Sequence, residues 1–531
     1  MHRALLIYDI LRHIFEYFAI YLDSSDDLQT PDHKLMAHLA RTCRSFHEPA
    51  IDILWADLDS IHPLIQCLLS DGDDWMCNLE SDESRSCKNM LLLRHEFTFH
   101  KYASRVRILR ISMDMDTFQA LVAFGASCRG VPGPQPATLC PHLIHLEWSE
   151  INPEMLPHLH LFLSPSLLVL KLDLWRIGNT DLRALSSLST FCPSVRTAIF
   201  EGPFETDELS AAVSRAVCGW RDIRELRCGS LDQEVWEHLS ATGRLTSADF
   251  RLPPPLAEYI TRTSPSSSDA ECTASRLFPE MLDICVSCPT VSLATGFLDL
   301  LHHTPRRFHL TAESTYACTA QAIHALFAAL SVRALDSYPP THLKLYGSDQ
   351  RRNSDRGSLP PPVITLVTLQ PLLSFKGLRV LHIDSVGTFS LDDVALHALA
   401  AAWPNLETLW LHHTKWPHPL GITFRGLAWL IGLCPCLEQL ALAFDVTDAD
   451  SGFLEDEEFK ALGGASGSIA NHAIHVLYAL NSSVRGAWLW RDAARVAVLL
   501  RRLFPRLEKV LGSAFRLWED VNIHLPVLRD D

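Results

Sequence analysis

Cys434-Pro-Cys436 places two thiols within three residues, and Cys285-x-x-Cys288 is the one C-x-x-C of the chain. Thiols at such spacings could ligate zinc or run thiol–disulfide exchange. His302, His303 and His309 follow the second pair, but these C-to-H separations match no zinc finger. His412-His413 and His418 could line a rim, although exposed histidines after a strand motif also read as ordinary surface. The densest carboxylate run, Leu454–Phe459, sits in an acidic stretch and reads as solvated. The sequence holds no G-x-S-x-G, P-loop, H-E-x-x-H or G-x-G-x-x-G. No catalytic residue, metal ligand or cofactor is therefore expected.

The surroundings of Cys434 explain it differently. After Cys434-Pro435 come Leu437, Leu440 and Leu442, an L-x-x-L-x-L pattern. The pattern recurs at Leu406/Leu409/Leu411, Leu378/Leu381/Ile383, Leu167/Leu170/Leu172, Leu143/Leu146/Trp148 and Val106/Leu109/Ile111. Weaker copies stand at Val195/Ala198/Phe200, Ile223/Leu226/Cys228 and Leu245/Ala248/Phe250, and degenerate ones at Phe308/Leu310 and Leu343/Leu345. Starts at 167, 195 and 223 are 28 apart, as are 378 and 406, and 437 follows after 31. A strand-like L-x-L at this period is the mark of leucine-rich repeats. The residues flanking the central x share one strand face. Return segments such as Leu396–Pro404 and Phe424–Pro435 carry apolar residues at helical spacing, and the proline ends each one. Trp403, Cys192 and Cys140 occupy the place of Cys434 before proline. A metal site would not accept tryptophan there, so the cysteine reads as a small buried filler.

Length and charge bound the rest. A chain of 531 residues suggests several domains or one repeat array, and 47% hydrophobic with 20% charged residues fits a folded protein. The net charge of −16 argues against nucleic-acid or anionic-membrane binding. Ser348–Gly357 is the best basic patch, but its composition reads as a solvated loop. The amino terminus does not read as a secretory signal, and no apolar run is long enough to cross a bilayer. Fifteen scattered cysteines suit reduced thiols, hence cytoplasm or nucleus. Excursions from the array are expected near 264–275, 347–362 and 445–458, the last as a mobile acidic rim loop.

Before about residue 62 the rule changes. Leu6, Ile10 and Ile14 stand four apart, with Leu11, Phe15 and Phe18 on the adjoining stripe, which makes an amphipathic helix with a wide apolar face. A polar interval follows. Leu39, Cys43 and Phe46 then recur at helical spacing, and Pro49 can begin a further helix ending near Leu54-Trp55. Leu6-Ile7-Tyr8-Asp9-Ile10-Leu11 with Ile14-Phe15, then Leu39, Thr42-Cys43-Arg44-Ser45-Phe46, then Ala50 and Leu54-Trp55 resemble an F-box. Ile7 stands where that family has proline. The whole chain, this segment followed by degenerate C-P-x-L repeats, resembles the expanded F-box families of mushroom-forming fungi.

The resemblance implies an α/β chain in three parts. An F-box-like adaptor-binding module spans 1–62, a transition with an acidic Ser/Asp-rich loop 63–104, and a leucine-rich-repeat-like solenoid 105–531. It implies that the module docks on a Skp-type adaptor, joining a cullin–RING ubiquitin ligase, while the array selects an unidentified client. The adaptor-facing set would be Leu6, Ile7, Ile10, Leu11, Ile14, Phe15, Leu39, Cys43, Phe46, Pro49, Leu54 and Trp55. These residues would alternatively cap the first repeat. Trp148, Trp175, Trp410 and Trp416 lie in or after strand motifs, where a solenoid shows its concave face, and are candidates for client binding or for core filling. A repeat scaffold without a ligase link is the alternative, and an enzyme would require a convergent polar cluster that the sequence lacks.

Overall fold

A computed structural model describes residues 7–21, 33–67, 97–112, 118, 121–122, 138–149, 151–177, 182–202, 207–252, 278–313, 318–334, 339–347, 361–412, 421–447, 452–456, 459, 469–480, 482, 490–513 and 515–526. The chain divides into two units, Met1–Thr242 and Gly243–Asp531.

The first unit opens with three helices: α1 (Tyr8–Tyr21), α2 (His33–Ala40) and α3 (Arg44–Ala56). They close a small core of Leu11, Phe15, Met36, Ala40, Ala50 and Ile53. Pro49 lies inside α3 and does not begin a helix as the sequence suggested. One ladder bond is lost there, and burial of the ring offsets part of that loss. Parallel strands follow: β1 (Asp57–Leu58), β2 (Ile108–Ile111), β3 (His145–Trp148), β4 (Val169–Asp173), β5 (Thr197–Glu201) and β6 (Glu225–Ser230). The sheet thus begins at Asp57, within the stretch assigned from sequence to the amino-terminal module. Register places Leu58, Leu109, Leu146, Leu170, Ala198 and Leu226 in one row, all buried.

The second unit repeats the plan with β7 (Ser247–Arg251), β8 (Asp283–Cys288), β9 (Arg307–Ala312), β10 (His342–Gly347), β12 (Val380–Asp384), β14 (Thr408–His412), β15 (Gln439–Ala441), β16 (Val476–Leu480) and β17 (Lys509–Gly512). A separate parallel pair joins β11 (Val363–Ile364) to β13 (Thr388–Phe389). The row of buried residues runs Ala248, Ile284, Phe308, Leu343, Leu381, Leu409, Leu440, Leu477 and Val510. The pattern is therefore unbroken where the sequence copies are degenerate. Parallel neighbours need a return segment. Helices Val291–Leu300, Ala320–Ala334, Asp393–Ala402, Phe424–Leu433 and Trp490–Leu503 supply it. Asp392 caps one by accepting the Ala395 N–H at 2.8 Å, and Thr423 and Thr290 cap two others. Both units are mixed α/β stacks of strand–return coils, a leucine-rich-repeat-like solenoid architecture.

The residue before the turn ties coil to coil at four places. Trp220 donates its indole N–H to the Cys192 carbonyl at 2.9 Å, and Trp403 to that of Leu372 at 3.0 Å. The Cys434 thiol donates to Trp403 O at 3.3 Å, and Asn471 Nδ2 to Leu437 O at 2.7 Å. The polar atom satisfies a buried turn carbonyl while the body of the side chain fills the core. Tryptophan, cysteine and asparagine are interchangeable there for that reason.

The excursion 264–275 lies outside the described residues, as does most of 347–362. Of the acidic stretch 445–458, residues 448–451 and 457–458 lie outside the described residues. Asp456 pairs with Arg425 of the helix Phe424–Leu433 at 3.0 Å, and Arg425 also lies over the Trp429 and Phe459 rings.

Candidate functional site

The wide apolar face of α1 splits in two. Leu11 (1% exposed) and Phe15 (3%) enter the module core, where the Phe46 ring meets Phe15 edge-on at 5.3 Å. The sequence placed both on the docking face. Both are instead core residues of the three-helix module, because α2 and α3 close over that side of α1. Ile7 (49%), Ile10 (38%) and Tyr17 are exposed, with Ile14 half-buried between them. Positions 7, 10, 14 and 17 advance by threes and a four, so they form one stripe on the helix.

The other expected adaptor contacts are mostly committed elsewhere. Leu39, Phe46 and Leu54 pack half-buried on the core, and Pro49 is buried. Cys43 is half-buried at the amino-terminal cap of α3. Trp55 stacks on Tyr102 with ring centroids 4.4 Å apart. Arg105 pairs with Glu48 and Asp52, and the Tyr8 hydroxyl donates to Asp52. Leu6 lies outside the described residues, as does the side chain of Phe18.

The tryptophans also separate. Trp148 is 1% exposed because it takes the last position of its L-x-x-L-x-L copy, beside Ile111 and Leu172 in the buried row. It fills the core and is not a client-binding surface residue. Trp175, just after β4, is 64% exposed, and its backbone N–H is held by Asp173 Oδ1 at 3.0 Å. Trp416 lies outside the described residues. Trp410 takes a central x position of β14 and faces away from the buried row.

Around Trp410 the outward strand positions of the second unit form an aromatic strip that sequence reading did not assemble. His382 stacks on Trp410 at 5.1 Å, Tyr478 lies 4.7 Å beyond Trp410, and Tyr346 lies 4.8 Å on the other side of His382. His309 follows at 6.5 Å from Tyr346. Asp384 accepts hydrogen bonds from His412 Nδ1 at 2.6 Å and Ser385 Oγ at 2.8 Å. Burial alone would raise the Asp384 carboxyl, but its histidine and serine contacts outweigh burial and hold it far below the usual range. Burial, then the charges of Lys344, His342, His382 and Arg307, push His309 down to about 4.

The cysteine pairs do not converge. Cys285 and Cys288 are three apart on a strand of alternating burial, so they lie on opposite faces of β8. Cys434 is buried and its thiol pushed up to about 12 by burial and by Cys436, which is itself exposed. Among the described residues no three His, Cys, Asp or Glu side chains are arranged to hold a metal, and no helix is long and apolar enough to cross a membrane.

No protein-family model and no curated protein matches the sequence. Among solved structures, the yeast Rad7 and Elc1 complex is similar at 17% identity and a TM-score of 0.39, covering 65% of this chain and 77% of that one. The leucine-rich repeat-containing protein LegL7 of Legionella pneumophila is similar at 15% identity and a TM-score of 0.30, covering 53% of this chain and 84% of that one. At these TM-scores neither likeness bears on function.

Proposed function

We propose that this chain is the substrate-recognition subunit of a Skp–cullin–F-box-type ubiquitin ligase. The helices α1 to α3 dock on a Skp-type adaptor, and the repeat array holds the client protein. One observation supports this above the rest: the core of the three-helix module closes without Ile7 and Ile10, which stay exposed beside the half-buried Ile14, so apolar surface on α1 is left over for a partner. In this role the chain is non-catalytic, and its work is binding at two separate surfaces.

The alternative, a repeat scaffold without a ligase link, draws on the Trp55–Tyr102 stack and the Arg105 ion pairs, which fasten α3 to the residues that follow it. Size-exclusion chromatography of the full-length chain mixed with purified Skp-type adaptor separates the two. Co-elution of native chain, lost with Ile10→Glu, supports the ligase reading. Failure of the native chain to co-elute leaves the scaffold. Point variants are needed because deleting residues 1–62 would also remove β1.

A further inference from the structure

The central outward positions of four neighbouring strands are His309 on β9, Lys344 on β10, His382 on β12 and Trp410 on β14, aligned by register in one row. Three carboxylates on or beside these strands have partners. Asp283 pairs with Arg307 at 3.3 Å, Glu407 with Arg379, and Asp384 with His412 and Ser385. Lys344 forms no ion pair among the described residues, although it is half-buried between two histidines. The unpaired Lys344 ammonium, which can only donate, calls for an acceptor of negative charge. Two guanidinium groups near the strip, Arg307 and Arg379, are already engaged in ion pairs. A single ammonium such as that of Lys344 suits a carboxylate.

We propose that this face binds an extended acidic segment of the client, one carboxylate pairing with Lys344 while a neighbouring apolar or aromatic side chain rests on Trp410 and Tyr478. The assignment rests on reading the repeat array as the client-binding surface. Lys344 and Trp410 are two strands apart, about 10 Å at the usual strand spacing. An extended segment crossing the strands covers this in two to three residues at about 3.3 Å each. The recognised motif is therefore Asp or Glu with an aromatic or large apolar residue two or three positions away. Stacked on His382 and flanked by Tyr478, Trp410 is a rigid anchor of the kind that dominates recognition.

Selection of a random-peptide display library on the purified full-length chain tests this. The enriched peptide is then synthesised and titrated against native, Lys344→Glu, Lys344→Arg and Trp410→Ala chains. The expected motif is acidic with an apolar neighbour at that spacing. Lys344→Glu should weaken it by at least about ten-fold, and Lys344→Arg by less than about three-fold. Native binding should weaken with added salt. Thermal melts show whether each variant is folded, and Lys344→Gln replaces Lys344→Glu if the reversal unfolds the unit. Enrichment of basic or uncharged motifs, or unchanged binding by folded Lys344→Glu, overturns the assignment and leaves the receptor reading standing. Tighter binding of a phosphoserine peptide, by more than about ten-fold, overturns the carboxylate in favour of phosphate. If no peptide is enriched, this assignment and the client-binding reading fall together. Adaptor co-elution of the same preparation reports separately on the ligase link.

Discussion

The double variant Ile7→Ala/Ile10→Ala probes docking with little effect on the module. Fully burying an isoleucine side chain is worth about 1.5–3 kcal/mol. In the free chain Ile10 is 38% exposed and Ile7 49% exposed. Covering the exposed share on adaptor binding therefore contributes about 0.6–1.1 kcal/mol at Ile10 and about 0.7–1.5 kcal/mol at Ile7. If the two add, the double variant raises the adaptor Kd by about 10- to 80-fold. Both positions face solvent in the free chain, so folding stability should move by less than about 0.5 kcal/mol per site. Leu11→Ala is the contrasting control. At 1% exposure it removes core volume and should cost about 2–5 kcal/mol of module stability. Isothermal titration with purified Skp-type adaptor, paired with circular dichroism melts, reads both quantities. A double variant that binds within about two-fold of native refutes the docking stripe, because the buried area would be absent from the interface. A double variant that melts the module like Leu11→Ala refutes it too, by showing that the stripe packs on the chain itself.

Trp403→Phe should lower stability by about 1–3 kcal/mol in urea unfolding, the lost indole bond plus incomplete filling of its place. The Leu372 carbonyl retains the Phe375 N–H at 3.0 Å, so no orphan penalty is added, and an unchanged midpoint would refute the coil-to-coil ladder. Iodoacetamide at pH 8 should modify Cys436 and spare Cys434, whose thiol at about 12 is almost wholly protonated, and peptide mass spectrometry showing equal labelling would contradict this. His309 titrates at about 4 in the fold against about 6.5 unfolded, so its contribution is complete above about 6.5 and is lost as pH falls toward 4. His309→Gln should flatten that part of the stability profile. The depressed Asp384 acts lower, stabilising above its unfolded value of about 3.9 and losing this as pH falls further, and Asp384→Asn should flatten the acid limb instead.

The repeat spacing alone determined that Leu170, Leu172, Leu381, Ile383, Leu409 and Leu411 are buried and that Cys434-Pro435 closes a coil. Alternation along a strand and the missing proline donor are local facts, legible one segment at a time. Parity also decides Trp148 against Trp410, since one replaces a leucine of the pattern and the other stands at x. The division of α1 was not legible. Its apolar face is wide enough for either side to be core, and only the seating of α2 and α3 sends Leu11 and Phe15 inward and leaves Ile7 and Ile10 outside. The strip from His309 to Trp410 was equally hidden, because its members are separated by 28 residues or more along the chain at every step. The parallel register brings them side by side, and register depends on how each return helix packs, which no single repeat of the sequence specifies.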